Sequence, residues 1–405
     1  MLSVMKCSDQ ARIAALTDGY RSVFHTEPER YFSAPGRTEI CGNHTDHQRG
    51  RVLAAAVDVD TIAAVGLNGT DEICIQSQGY PMCRVSLQEL EPSESEYGTT
   101  LSLIRGVASK FRDLGCPLRG FNAYVTSQVL PGSGLSSSAA FEVLIGTIIN
   151  GLFFDGKATA PEIAQYAQYA ENVFFGKPCG LMDQMASSVG NLVEIDFLDE
   201  ANPVVTPLNF DFSQTGYALC IIDSRASHAD LTDEYAAIPL ECKSIAAHFG
   251  QEVLRDVPEA DFFAHIPLLR EKCGDRAVLR AIHFYQENRR VPQAAEALKR
   301  GDFDRFLAVL RASGRSSFMY LQNVSPAGTI ADQAMAVTLA LCEHYLEGRG
   351  AFRVHGGGFA GTAQAFVPLD RLDAFRAGID GTLGDGACHI LSIRPQGGVE
   401  LEVTR

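Results

Sequence analysis

Residues 129–146 read VLPGSGLSSSAAFEVLIG. An apolar strand pattern runs into a glycine-spaced turn, then three serines, then a long apolar segment. Gly132 and Gly134 let the backbone turn and come close to a ligand. A helix opening at the serines offers unpaired N–H groups and the positive end of its dipole, and both suit an anion. The hydroxyls of Ser136, Ser137 and Ser138 can cap that helix, touch phosphate or bind Mg2+ through oxygen. A Ser-capped helix after a glycine turn is the simpler alternative, but three successive serines exceed what one cap needs.

Outward from this loop the pattern is mixed. Residues 8–25 have helical spacing, and RVLAAAVDVDTIAAVGLN (51–68) reads as strand. GFNAYVTSQVL (120–130) is a strand with Phe121, Ala123 and Val125 on one face. FEVLIGTIINGLFF reads as a buried helix, and 160–176 as another helix stopped by Gly176 and Pro178. NLVEIDF and YALCIIDS are short strands. From about 229 to 350 the chain is mostly helical. AFRVHGGGFAGTAQAFVP returns to strand–turn–strand or strand–turn–helix, and CHILSIRPQGGVELEV reads as a hairpin. The chain is therefore α/β or α+β. Its 405 residues exceed one ordinary core and imply two domains. The composition shift near 205–225 places the boundary, with TPLNFDFSQTG (206–216) as the crossing segment.

Composition narrows the function. Apolar residues make up 46% and charged residues 20%, a globular balance. A net charge of −15 disfavours nucleic acid and membrane surfaces as partners. Eleven cysteines, an odd number without a CxxC pair, imply neither a disulfide framework nor a zinc site, and point to a reducing, cytoplasmic setting. The N-terminal stretch lacks the apolar run of a signal peptide, and the longest apolar segment, 143–154, is too short to span a bilayer.

Two phosphate-loop lookalikes fail. GLFFDGKA (151–158) nearly fits the Walker A pattern, but Ala158 stands where a hydroxyl is needed. GGGFAG (356–361) fits GxGxxG without a convincing helix or ribose-binding acid after it; a glycine-rich turn packed against something flat, such as a substrate or the phosphate loop, stays open. Two further stretches gather charge. SAPGRTEICGNHTDHQRG (33–50) holds Arg37, Glu39, Asn43, His44, Asp46 and His47 beside an expected Pro-Gly turn. Its HTDH has no third His or Cys at ligand spacing, so no transition metal is expected. AENVFFGKPCGLMDQMASS (170–188) carries Glu171, alone a solvated helix charge, and Asp183, alone a helix N-cap.

Together these stretches resemble the galactokinases of the GHMP small-molecule kinase family. GRTEICGNHTDHQRG is similar to the family's GRVNLIGEHTDYNGG, and PGSGLSSSAAFEV to PxGxGLSSSASLEV. AENVFFGKPCGLMDQ is similar to AENxFxGxxCGIMDQ, and VHGGGFAGTAQAF to TGAGFGGCTVAL. Four ordered motifs span nearly the whole chain.

The resemblance implies an N-terminal phosphate-loop domain (1–210) and a C-terminal ferredoxin-like domain with extra helices (211–405). It implies transfer of the γ-phosphate of ATP to the anomeric hydroxyl of galactose. Carried over residue by residue, it makes Pro131, Gly132, Ser133, Gly134, Leu135, Ser136, Ser137 and Ser138 the ATP loop. Ser137 or Ser138 would hold Mg2+ with Glu171. Asp183 would be the base or the group that orients the sugar hydroxyl, and Arg37 would lie beside the transferred phosphoryl. Asn43, His44, Thr45, Asp46, Gly180 and Tyr235 complete the sugar side. The partners implied are a small sugar and MgATP. Oligomeric state is left open, with a monomer slightly favoured.

The chain departs from the family at four places. Asn43 replaces a Glu, which the resemblance implies contacts the hydroxyl on the sugar's sixth carbon. His47 replaces a Tyr. The YNxR element reads Tyr235-Ala236-Ala237-Ile238, and GAGFGG reads GGGFAG. Galacturonate kinases of the family also lack that Glu and share the His-Gln pair, so galacturonate is an alternative substrate. A non-catalytic sugar- and ATP-binding regulator is a further alternative, opposed by the intact GLSSSAA, Arg37, Glu171 and Asp183.

Overall fold

The computed structural model describes residues 4–6, 9–129, 134–226 and 231–403; Pro131, Gly132 and Ser133 of the expected ATP loop lie outside the described residues. Among the described residues the strands form two sheets. In chain order they are β1 (Val4–Lys6), β2 (Arg30–Cys41), β3 (Arg51–Leu67), β4 (Glu72–Ser77), β5 (Cys83–Ser86), β6 (Phe121–Ser127), β7 (Leu192–Asp196) and β8 (Val204–Leu208). There follow β9 (Tyr217–Asp223), β10 (Ala351–His355), β11 (Thr362–Pro368), β12 (Cys388–Leu391) and β13 (Val399–Glu402). The larger sheet has nine strands in the order β1-β13-β2-β3-β6-β4-β5, with β7 and β8 branching from β3. The long β3 allows the branch: its first residues pair with β7 and its last with β6.

The second sheet runs β10-β11-β9-β12, all antiparallel. Read from the β12 edge, this is the strand order of a ferredoxin-like βαββαβ unit. The first helical crossover, between β9 and β10, has grown into α6 (Thr232–His248), α7 (Glu259–Cys273), α8 (Asp275–Lys299), α9 (Phe303–Ser316) and α10 (Ala334–Leu346). The second crossover is α11 (Leu372–Leu383). The first half contributes α1 (Gln10–Phe24), α2 (Thr100–Asp113), α3 (Ser137–Phe153), α4 (Ala160–Tyr169) and α5 (Met182–Val189).

Apolar periodicity decides which faces close. Phe121, Ala123 and Val125 of β6 are buried with Ile145, Ile148 and Ile149 of α3 in the first core. A second core joins the halves, packing Ile40, Leu53, Leu219 and Ile221 against Val291 and Phe306. Burying each such side chain stabilises by roughly 1.5–3 kcal/mol.

Two sequence expectations are corrected here. The C-terminal stretch is no hairpin: β12 joins the small sheet and β13 crosses to pair with β2 in the large one. The strand added by β13 belongs to the sheet of the first half, so sheet pairing crosses the boundary read at 210. Pro35-Gly36 makes no turn; it lies inside β2, at the first of two register shifts. Such bulges re-aim side chains. The shifts bracket Arg37 and Glu39. Among the described residues no helix is long and apolar enough to cross a membrane.

Candidate active site

Arg37 is the centre of the charged cluster. It leaves β2 after the first bulge, its N–H held by the Leu135 carbonyl at 3.0 Å. Its guanidinium is bidentate on Asp183, Nε to Oδ1 at 2.7 Å and Nη2 to Oδ2 at 2.8 Å. Nη1 donates to the Gly134 carbonyl. One side chain thus ties β2, the start of α3 and α5. Gly134 has φ +72°, and an added Cβ would fall 2.1 Å from the Thr362 hydroxyl, so glycine is required there. Gly134 is therefore in close contact with Thr362 and His355, which flank the Gly356–Gly361 turn between β10 and β11.

Asp183 does not cap its helix. Leu181 holds the N-cap position, and Asp183 lies in the first turn of α5. Burial raises the Asp183 carboxyl, but the Arg37 charge, with the Ser136 hydroxyl and Lys177, outweighs it and holds the group below the ordinary carboxylate range. Ser136 does not cap α3 either; with φ 58° it sits in the left-handed region. That conformation costs on the order of 1–2 kcal/mol. It turns the hydroxyl onto Asp183.

Glu171 is not a solvated charge. It is 4% exposed, on a π-turn (Ala170–Phe175) that continues α4. Such turns recur at functional sites. Its Oε2 accepts from the Gln184 amide at 2.8 Å, and Lys177 Nζ lies 3.5 Å from Oε1. Gln184 donates also to Glu142 Oε2 at 3.1 Å. Glu142, fully buried on α3, has its carboxyl raised well above the usual range, first by burial and then by the Glu171 charge. The sequence reading missed Glu142, Gln184 and Lys177. An acid inside the apolar run FEVLIG was the available signal.

The sugar-side residues fall into three groups. Asp46 faces Gly180 so closely that a Cβ there would lie 1.8 Å from Asp46 Oδ2. His44 donates from Nε2 to the Gly357 carbonyl at 3.0 Å. Gly357 lies against the Tyr235 ring, whose hydroxyl donates to the Gly358 carbonyl at 2.9 Å. The flat object under that glycine turn is thus a tyrosine. His44 titrates at about 4, lowered first by burial and then by His47, so it is neutral at pH 7.

Thr45 and Asn43 sit elsewhere than the sequence reading placed them. Thr45 is fully buried and donates to the Gly42 carbonyl at 2.8 Å, holding the loop closed. Asn43 is also fully buried. Its Nδ2 donates to Gly356 O at 2.7 Å and Glu39 Oε2 at 3.1 Å; its Oδ1 accepts from Asn323 at 2.8 Å and Ser317 at 3.3 Å. This amide locks the first motif to the glycine turn and faces no open space.

Glu39 is 2% exposed and paired to Arg353 at 2.6 Å. Beside it His355 accepts the Glu39 N–H at 3.2 Å and donates to Thr362 at 2.9 Å. Burial, then the Arg37 and Arg353 charges, keep this imidazole neutral. These groups form a buried polar seam between β2 and β10–β11. The Walker A lookalike is a turn pinned by Asn150, which bonds Ala158 N and O at 3.0 and 2.9 Å.

The site thus holds an Arg-paired carboxylate in the first turn of a helix, with the Ser136 hydroxyl on it. Residues 102–191 match the GHMP kinases N terminal domain, and 18–67 the galactokinase galactose-binding signature. The galactokinase of Streptomyces coelicolor is 31% identical over 92% of this chain and 93% of its own. That of Homo sapiens is 32% identical over 86% of each. The structure of Lactococcus lactis galactokinase complexed with galactose superposes with a TM-score of 0.82 at 24% identity, covering 96% of this chain and 99% of that one. A mevalonate kinase shares the fold at TM-score 0.64 and 14% identity, covering 91% and 100%. The chain belongs to the galactokinase family.

Proposed function

We propose that the chain transfers the γ-phosphate of ATP to the anomeric hydroxyl of galactose. The bidentate Arg37–Asp183 pair at the opening of α3 carries this reading. Phosphoryl transfer needs positioning and charge stabilisation more than covalent help. Arg37 is a permanent cation fixed by three hydrogen bonds, so it meets developing negative charge without reorganising. Each Asp183 oxygen keeps a lone pair after Arg37 has taken its share. A carboxylate this acidic is a weak base. It therefore orients the sugar hydroxyl and takes its proton late, when bond formation has acidified it.

The N–H groups opening α3 and the hydroxyls of Ser137 and Ser138 would cradle phosphate oxygens. Ser137, Ser138 and Glu171 also fit Mg2+. They offer hard oxygen donors of the kind Mg2+ takes together with nucleotide phosphates. Bound there with the nucleotide, Mg2+ would neutralise charge on the β- and γ-phosphates.

Sugar choice follows from charge. Asp46 is 12% exposed, so a carboxylate on the sugar's sixth carbon placed against it would meet repulsion, which His44, neutral at pH 7, would not offset. Asn43, spent on the seam, cannot receive it. Purified protein given equal galactose and galacturonate with MgATP should release ADP at least about tenfold faster on galactose, the discrimination that roughly 1.4 kcal/mol supplies. Equal or faster release on the uronate refutes this sugar assignment.

A further inference from the structure

The Gln184 amide nitrogen has two N–H groups and lies within hydrogen-bond reach of two carboxyls, Glu171 at 2.8 Å and Glu142 at 3.1 Å, with the Cys179 sulfur further off at 3.6 Å. All three residues are buried, Glu142 and Gln184 completely. They come from three elements: Glu142 from α3, Glu171 from the π-turn, and Gln184 from α5, next to Asp183. Glu142 is one helical turn past Ser138, on the helix that opens at the phosphate loop. Glu142's second oxygen, Oε1, and the Gln184 amide oxygen have no partner among the described residues. A carboxyl buried amid an apolar helix contributes nothing to packing that leucine would not, and it carries a desolvation cost. Its one polar contact is the Gln184 amide.

We propose that Gln184 and Glu142 are positioning residues, which fix the rotation of the Glu171 carboxylate so that it faces the nucleotide-bound cation. This rests on Glu171 being a cation ligand. Glu142 anchors one N–H of the amide. The other N–H then has a single direction and holds Glu171 Oε2, leaving Oε1 for the cation. At present Lys177 sits 3.5 Å from that oxygen; its side chain is 66% exposed, so it can yield the place. Partners that hold a metal ligand in this way typically govern affinity tenfold to a hundredfold.

The test is Mn2+ binding, read by electron paramagnetic resonance, to the full chain saturated with ATP. Glu171→Gln should weaken Mn2+ at least about tenfold, which checks the underlying assignment independently. Gln184→Leu and Glu142→Leu should each weaken it about tenfold, while the affinity for metal-free ATP stays within about twofold. Glu142→Gln, which restores an acceptor to the amide, should recover most of the Glu142→Leu loss. Gln184→Asn, one methylene shorter, should lose affinity as Gln184→Leu does, and it serves if the leucine variants fail to fold. Wild-type Mn2+ affinity in the Gln184 and Glu142 variants, with loss in Glu171→Gln, overturns the positioning role alone. Wild-type affinity in Glu171→Gln overturns the ligand assignment beneath it.

Discussion

Asp183→Asn lowers galactose-dependent ADP release by about 10³-fold, within the range that a positioned acid–base group supplies. The amide can accept one hydrogen bond from Arg37, so the fold should survive. On the proposed role, in which the carboxylate would act where the hydroxyl oxygen attacks, the loss should appear in kcat. Arg37→Ala should be at least as severe, since a cation aimed at a transferred phosphoryl contributes about 10³-fold or more. It also removes the group that keeps Asp183 ionised and ties β2 to the phosphate loop. Steady-state kinetics alongside thermal unfolding of both variants are the check. Turnover within tenfold of wild type in either would remove these residues from the chemistry.

Gly180→Ala is the second large effect. The new methyl would meet Asp46 Oδ2 at 1.8 Å and Cγ at 2.8 Å, so the Asp46 carboxylate must move. No positive φ opposes alanine at this position, so the strain falls on the side chain facing it. Displacing a substrate-positioning group by about 1 Å can cost 10²-fold. We expect kcat/KM for galactose to fall about 10²-fold through the sugar KM, with the ATP KM little changed. An unchanged sugar KM would show that Asp46 does not hold the sugar.

What the sequence made legible follows from how local each signal is. The phosphate-loop helix and the strand YALCIID are set by short-range pattern, and the structure contains each; after GGGFAG the pattern leaves strand or helix open, and the structure has a strand. β12 and β13 look alike as apolar pairs flanking a glycine turn, and nothing local says that they join different sheets. Pro35-Gly36 was misread for a related reason: a bulge and a turn use the same residues, and only the partner strand distinguishes them.

The site divides similarly. Arg37 and Asp183 lie 146 positions apart, and their pairing became visible through family motifs rather than spacing. Asn43's position in the motif points to a sugar contact; its four bonds to Glu39, Gly356, Ser317 and Asn323 depend on residues from two halves of the chain. Arg353 and His355 carried a readable signal, being same-face polar residues in a short strand of the second half. Their role in the seam required knowing that β2 lies against them.

The central claim is phosphoryl transfer to the anomeric oxygen, and its most direct test is the product. Galactose and MgATP incubated with the protein should give equimolar ADP and a sugar phosphate without a reducing end, seen by phosphorus NMR and a reducing-sugar assay. Methyl galactoside, its anomeric oxygen blocked, should give neither. ADP release on methyl galactoside, or a sugar phosphate that keeps its reducing end, would contradict the account.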